Sequence, residues 1–182
     1  MNLRITSMVS VLFCLFITSC NAVSFSPSNN MPLELKLDLI KNEVVSADQL
    51  SGRITLENNG NLSVLVHRRL YFVALPMASE QAEVLLLIKD SSGKLIINDH
   101  IDSRYDWPSE NTMGVLLPGG QIVKSFALKY YIRASDFKKG GKYTIVAIYQ
   151  NAIETKKTIN GIEISSWIGV IRSNEETFVI LP

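Results

Sequence analysis

Leu33-Glu34-Leu35-Lys36-Leu37-Asp38-Leu39 is the clearest structural signal in the sequence. Its leucines alternate with charged residues, and a period of two places every leucine on one face of a β-strand. Such a face is stable only when a second layer of structure covers it. Residues 33–39 therefore predict a strand that packs its leucines into a core.

Further runs of strand length follow, separated by turn residues. Residues 143–149 are rich in β-branched and aromatic side chains on both faces, which is typical of a central strand. Asn58-Asn59-Gly60-Asn61 supplies residues that tolerate a positive φ, so it predicts a tight turn. The other apolar runs of strand length lie in residues 54–56, 62–66, 70–75, 84–88, 95–97, 114–117, 122–132 and 177–181.

Helical signals are weak. Residues 78–83 and 134–139 each allow a turn or two, and the sequence lacks the long amphipathic segments that connect parallel strands. Short strands with regular turns between them favour two antiparallel sheets. We predict an all-β fold, an antiparallel β-sandwich of about 7–9 strands.

A resemblance narrows this prediction. Gly141-Lys142-Tyr143 and the residues after it are similar to the start of the penultimate strand of an immunoglobulin-like domain. In such domains a tyrosine at this place, the tyrosine corner, hydrogen-bonds back to the preceding loop. Antibody domains carry a cysteine at the place of Ile145, so this chain does not resemble an antibody domain. Its pattern is similar to the immunoglobulin-like domains of secreted and lipid-anchored bacterial proteins. Its other elements are residues 56–66, 117–120, 167–169, 172–174 and 178.

The N-terminal residues carry a signal for location. Residues 8–17 form an apolar run that is too short to span a bilayer, which needs about 20 residues. Ile17-Thr18-Ser19-Cys20 closes the run and resembles a bacterial lipobox, whose cysteine receives acyl chains such as palmitate and becomes the mature N-terminus. The resemblance implies a signal peptide over 1–19, lipid attachment at Cys20, a flexible tether over 20–30 and the immunoglobulin-like domain over 31–182.

The same resemblance implies a location in the bacterial cell envelope. Asn21 directly after the cysteine favours the outer membrane under enterobacterial sorting rules. The alternative is ordinary secretion, with cleavage after Ala22.

Charge and cysteine content exclude several classes of function. The chain has 18 basic and 17 acidic residues, and loss of residues 1–19 removes only Arg4, so the mature protein is close to neutral. A neutral domain has no electrostatic attraction to nucleic acid. Cys14 lies in the leader and Cys20 is the lipid site, which leaves no disulfide and no cysteine metal site in the folded part. No cofactor is expected.

Two clusters of polar residues have both a functional and a structural interpretation. Asp99-His100-Ile101-Asp102, with Asp106 nearby, has the residue types that bind calcium or a transition metal, but a polar loop explains it better. His67-Arg68-Arg69 has the charge to meet a phosphate or carboxylate, but solvated charges at a strand edge are the favoured interpretation. We predict no metal site and no catalytic residues.

The aromatic residues suggest a contact surface. Tyr105, Asp106 and Trp107 lie in a long irregular segment, residues 98–113, and such loops are uncommon unless they are functional. Trp167 and the Tyr130-Tyr131 pair are interpreted as core residues, with Tyr131 facing outward. Residues 151–166 predict a second protruding loop or hairpin.

The sequence thus favours a non-catalytic binding or accessory module on the cell envelope. Its partner would be an envelope protein or an envelope polymer, bound through residues 98–113 or an exposed strand edge. One alternative is a proteinase inhibitor, since the chain has a weaker resemblance to the small β-sandwich proteinase inhibitors of bacteria. Another is a metal-dependent hydrolase or an enzyme accessory subunit using His100, although the His-Glu-x-x-His pattern of zinc endopeptidases is missing.

Overall fold

A computed structural model describes residues 32–74, 83–96 and 108–182, and these residues form an all-β fold. The strands in these ranges are β1 Leu33–Leu39, β2 Glu43–Val44, β3 Ser51–Asn58, β4 Val64–His67, β5 Phe72–Ala74, β6 Val84–Asp90, β7 Leu95–Ile96, β8 Met113–Leu116, β9 Gln121–Ala127, β10 Lys142–Asn151, β11 Lys156–Ile159, β12 Ile162–Ser165 and β13 Gly169–Ile180. The helical segments in the same ranges are 3₁₀ turns at Ala47–Gln49, Glu110–Thr112, Leu128–Tyr130 and Ala134–Asp136.

Two main sheets make the layers of a sandwich. One sheet has the strand order β1-β3-β9, and the other has the order β2-β13-β10-β6-β5, with β7 beside β6. Two further pairs, β4–β8 and β11–β12, lie outside these sheets. The pairing is antiparallel except between β2 and β13 and between β5 and β6. The predicted fold class, an antiparallel β-sandwich, is confirmed.

The strand count differs from the prediction, because the described residues hold thirteen strands. Strands as short as β2 and β7, at two residues each, contain too few side chains to show a period of two.

The strand β10 lies between β13 and β6, as its apolar character predicts. Two predicted hairpins, β6–β7 and β11–β12, are also confirmed.

The main core fills the space between the two sheets. Leu33, Leu35 and Leu37 of β1 are buried and face it, as their alternation predicts. The core takes residues from most of the main strands and from the 3₁₀ turns, and it extends from Leu33 to Ile180. A smaller cluster of Leu65, Met113 and Ile164 joins β4 and β8 to the β11–β12 hairpin.

A bulge in β13 joins the two sheets along one side. The Asn174 amide accepts a hydrogen bond from the Leu37 backbone N–H at 2.8 Å and donates one to the Leu37 carbonyl at 2.9 Å. The neighbouring Ser173 hydroxyl accepts from the Ala147 N–H, where the β10–β13 register shifts. These side chains replace backbone pairing, so β13 bonds to both sheets. Residues 172–174, part of the immunoglobulin-like resemblance, thus have a structural task.

The turn after β3 differs from its prediction. Asn58 is fully buried, and its side chain donates to the carbonyls of Leu62 and Leu116 and accepts from the Gly60 N–H. None of residues 58–61 has a positive φ. Glycine is needed at position 60 because a Cβ there would lie 2.6 Å from the Pro32 side chain. The asparagine acts through its side chain, and the predicted backbone conformation is wrong.

The predicted strand over residues 122–132 is too long. β9 ends at Ala127, and a 3₁₀ turn at Leu128–Tyr130 follows it. The turn changes the side-chain parity, so Tyr130 is exposed while Tyr131 packs against Phe72 with ring centroids 5.7 Å apart. The prediction that Tyr131 faces outward is therefore wrong.

Candidate functional site

A group of buried polar side chains lies near the C-terminal end of β10. Tyr149 and Asn151 of β10 meet His67, the last residue of β4, and Glu83, the residue before β6. Each of these four side chains is less than 5% exposed. Burial of polar groups at this depth is costly unless every group is hydrogen-bonded, so their partners decide what the group does.

The imidazole of His67 is held on both nitrogens. Its Nε2 lies 3.1 Å from Asn151 Oδ1, and its Nδ1 lies 2.8 Å from Thr112 Oγ1. Asn151 Oδ1 also accepts from the Ile153 N–H while its amide nitrogen donates to the Trp167 carbonyl, so Nε2 must carry the proton. In the neutral ring Nδ1 then accepts from the Thr112 hydroxyl.

The Thr112 hydroxyl has a second acceptor. The Ser109 carbonyl lies 2.7 Å from Thr112 Oγ1, so one hydroxyl proton serves either this carbonyl or His67 Nδ1. Protonation of the imidazole would turn Nδ1 into a donor and move the hydroxyl proton to Ser109. The position of the Thr112 hydroxyl proton is therefore set by the protonation of the His67 ring.

Glu83 is the buried acid of the group. Arg69 donates to its Oε1 from Nε at 3.0 Å and from a terminal nitrogen at 2.7 Å. The Tyr71 backbone N–H donates to Oε2 at 3.0 Å, and His67 Nδ1 lies 3.9 Å from Oε1. The carboxylate thus holds the chain after β4 against the start of β6. The sequence offered one hint, a charged residue directly before the fully apolar run of β6.

Burial controls the ionisation of this group. It lowers the pKa of His67 below its ordinary value near 6.5, against the opposing attraction of Glu83. It also raises the pKa of the Tyr149 phenol above its ordinary value. The ring is therefore neutral at pH 7. The interpretation of residues 67–69 as solvated edge charges is wrong for His67 and Arg69, because β4 pairs with β8 and His67 is buried, while Arg69 pairs with the buried Glu83 carboxylate.

The arrangement favours a structural task over catalysis. A hydroxyl beside an imidazole is the pattern of an activated nucleophile, but His67 is 1% exposed and offers a substrate no access. The described ranges contain no group of three or more residues placed to hold a metal ion. What the group does is join β4, β6 and β10 at one end of the sandwich.

A cleft lies at the other end of β10. Its walls are the turn from Asp90 to Lys94 and the loop from Asp136 to Lys142, and its volume is about 480 Å³. Tyr143 forms its floor, and the Tyr143 hydroxyl accepts from the Lys138 backbone N–H at 2.6 Å. That contact is the one the tyrosine-corner resemblance predicts.

The cleft has an excess of positive charge. Three exposed lysines, Lys94, Lys138 and Lys142, line it together with two carboxylates, Asp90 and Asp136, and no salt bridge joins these lysines to a carboxylate among the described residues. The Asp90 carboxylate accepts hydrogen bonds within its own turn, from Ser92 and from the Lys94 N–H. Three lysines and two aspartates leave the lining with a net charge of about +1.

Several residues predicted from the sequence lie outside the described residues. They are the lipobox Ile17, Thr18, Ser19 and Cys20, the contact residues Tyr105, Asp106 and Trp107, and the polar cluster Asp99, His100, Asp102 and Asp106. Within the described ranges, Trp167 is half-buried against Tyr149, with ring centroids 5.7 Å apart.

Comparison with known proteins leaves the family open. A scan against protein-family models found no match. A search of curated proteins also found none with significant sequence similarity. Among the helical segments that the structure describes, none has the length and apolar character to cross a membrane.

Proposed function

We propose that this chain is a lipid-anchored protein of the bacterial cell envelope, and that its immunoglobulin-like β-sandwich binds another envelope component without catalysis. The observation that carries the proposal is Cys20, which directly follows an apolar run and two small residues. Two or three acyl chains on one cysteine hold a protein firmly, since each buried CH₂ contributes about 0.8 kcal/mol.

The geometry of the sandwich supports a presenting role. β1 begins one residue after Pro32 and runs away from the point where the tether would join. β2, which follows β1, pairs with Val179 and Ile180, and Val179 is the register partner of Lys142. The lysine-lined cleft is therefore at the end away from Pro32, where a partner in the envelope would reach it.

Mass spectrometry of the protein from its native host tests the anchor. We expect a chain that begins at Cys20 and carries diacylglyceryl and acyl groups. The variant Cys20→Ser should keep its leader and release from membranes in carbonate. An unmodified Cys20 in the native protein would contradict the proposal.

Cross-linking in intact cells, followed by mass spectrometry, tests the binding role. A partner captured by the native protein should be lost with Lys138→Ala/Lys142→Ala and kept with the control Lys156→Ala, an exposed lysine of the β11–β12 hairpin. Capture that is equal for both variants would exclude the cleft and leave residues 98–113 as the predicted contact.

A further inference from the structure

The end of the sandwich at Pro32 has two exposed leucines. Leu62 is 73% exposed and Leu117 is 61% exposed, each in a turn. Asn58 Nδ2 donates to the carbonyls of Leu62 and Leu116, at 2.9 and 3.0 Å, so these two oxygens lie within about 6 Å of each other. The two turns thus form one surface, which we call the apolar tip: residues 58–62 and 117–120.

The chain enters the domain at this tip. The Pro32 carbonyl accepts from the backbone N–H groups of Asn59 and Gly60, and the Asn58 carbonyl accepts from the Gly119 N–H. Pro32 therefore lies against the turn of residues 58–62, and that turn is hydrogen-bonded to the turn of residues 117–120. The lipid-attachment position Cys20 is twelve residues upstream, a chain length whose root-mean-square span is about 20 Å when flexible. An anchor of this length keeps the tip close to the bilayer.

Charge is missing from the tip. Residues 58–66 and 113–123 contain no lysine, arginine, histidine, aspartate or glutamate, in a chain with 19% charged residues. Glu34 of β1 contacts the tip, because its carboxylate accepts a hydrogen bond from Asn59 Nδ2 at 2.7 Å, and Lys36 pairs with both Glu34 and Glu57 on the side of the β1–β3 sheet. The opposite end carries the lysines of the cleft. Transfer of charged groups into lipid is costly. Of these two ends of the sandwich, the one nearer the anchor therefore has the lower free-energy cost of insertion.

We infer that the apolar tip docks on the lipid bilayer, with Leu62 and Leu117 inserted at the headgroup boundary. Scattered exposed apolar residues are common on proteins, but these two belong to adjoining turns that contain no charged residue and lie at the tether. The inference rests on the proposed lipid anchor and adds an orientation to it. The sandwich stands on the tip, and the cleft points away from the membrane. Because the mature chain is nearly neutral, apolar insertion and not charge would hold the tip.

Site-specific fluorescence on the lipidated protein tests this orientation. Leu62→Cys, Leu117→Cys and the control Ile40→Cys each receive a nitrobenzoxadiazole label after reconstitution into vesicles of phosphatidylethanolamine and phosphatidylglycerol. Ile40 is a matched control because it is 68% exposed and follows β1 at the end away from Pro32. We expect dithionite to reduce the labels at 62 and 117 roughly fivefold more slowly than at 40, as for side chains buried in the interface. Equal rates at all three positions would overturn the inference.

Two further measurements separate the possible failures. Intact mass on the same samples reports the lipid on Cys20. Fast reduction of the labels at 62 and 117 on a lipidated protein would therefore contradict the docking of the tip and leave the proposed lipid anchor in place. An unlipidated Cys20 would contradict both the proposed function and the docking of the tip. Protection in native membranes but not in vesicles would mean that a protein covers the tip, which also overturns the inference.

A charge variant tests the two leucines directly. With the label on Asn61→Cys, the change Leu62→Asp/Leu117→Asp should restore fast reduction, because carboxylates do not enter the interface. Circular dichroism should show the same fold, since both side chains are exposed. Slow reduction that persists in this variant would contradict docking through these leucines.

Discussion

The two ends of β10 bury a tyrosine each and use it differently. Tyr143 and Tyr149 lie on the same face of the strand, and each hydroxyl accepts one backbone N–H. The donor at Tyr143 is Lys138, five residues away, whereas the donor at Tyr149 is His67, 82 residues away. Phe137 and Phe178 surround Tyr143, while Glu83, His67 and Asn151 accompany Tyr149. One end is an apolar corner closed locally, and the other is a polar joint between distant segments.

The largest expected effect is at the polar joint. Glu83→Ala removes the acceptor of the two Arg69 hydrogen bonds and an acceptor of the Tyr71 N–H. Removal of one partner from a buried ion pair costs about 3–5 kcal/mol, and the partly exposed Arg69 places the cost near 3. Urea denaturation measures this loss, with the exposed Glu34→Ala as the control. A loss below that of Glu34→Ala would show that the joint contributes nothing.

A paired substitution compares the two hydroxyls. Tyr149→Phe leaves the buried His67 N–H without this acceptor, at a cost of about 2 kcal/mol in the free energy of unfolding. Tyr143→Phe removes a bond that is only partly buried, and we expect a loss of about 1 kcal/mol. The same denaturation series measures both. A larger loss of stability for Tyr143→Phe than for Tyr149→Phe would contradict the distinction between the polar joint and the apolar corner.

Low pH should lower the stability contributed by the polar joint and leave that of the apolar corner unchanged. The pKa of His67 is lowered in the folded state by burial, so below about pH 6.5 the unfolded chain binds more protons than the folded one. The free energy of unfolding should therefore fall as the pH falls through this range, by at most about 1.4 kcal/mol per pH unit for one proton. The loss should level off below the folded-state pKa.

The chain has two histidines, and this gives a matched control for the pH profile. His67→Gln should remove the fall between neutral pH and pH 5, whereas His100→Gln should keep it. If His100→Gln removed the fall in stability and His67→Gln kept it, the assignment of the pH dependence to His67 would be contradicted.

The smallest effect is expected at the apolar corner. Phe137→Leu keeps the side chain apolar but removes ring contacts with Tyr143 and Phe178, at centroid distances of 5.0 and 6.0 Å. Aromatic pairs contribute about 0.5–1.5 kcal/mol beyond burial, so we expect a loss of about 1 kcal/mol. Thermal unfolding at pH 7 and pH 5 should give the same loss. A pH-dependent loss would show that the two ends are coupled through β10.

The hydrogen bond of the corner was predicted because it joins residues close in sequence. Tyr143 and Lys138 belong to one loop and strand, and the resemblance of Gly141-Lys142-Tyr143 to a tyrosine corner implies a bond from Tyr143 to the preceding loop. The leucines of β1 are predictable for a similar reason, since a period of two is visible within seven residues. Where the chain changes conformation without a strong signal, as at Leu128–Tyr130, the pattern misassigned the faces.

The joint was not predictable from pattern, because each of its members has an ordinary explanation on its own. His67 stands beside two arginines and suggests a solvated edge, and Asn151 and Thr112 suggest loops. Only the pairing of β4 with β8, and of β6 with β10, brings these residues to one point. The apolar tip is similar, since the side chain of Asn58 bonds to the carbonyls of Leu62 and Leu116 and so joins two turns that are distant in sequence.

The sequence by itself determined the all-β class, the buried face of β1 and the central place of β10, because alternation and β-branched runs are properties of neighbouring residues. It also supplied the lipobox, which stays a prediction about location. The tertiary structure decided which polar residues are buried together, how Asn174 joins the sheets, and which two turns meet at Asn58. Those contacts join residues far apart in the chain, and their free energy depends on burial and partners that only the folded arrangement defines.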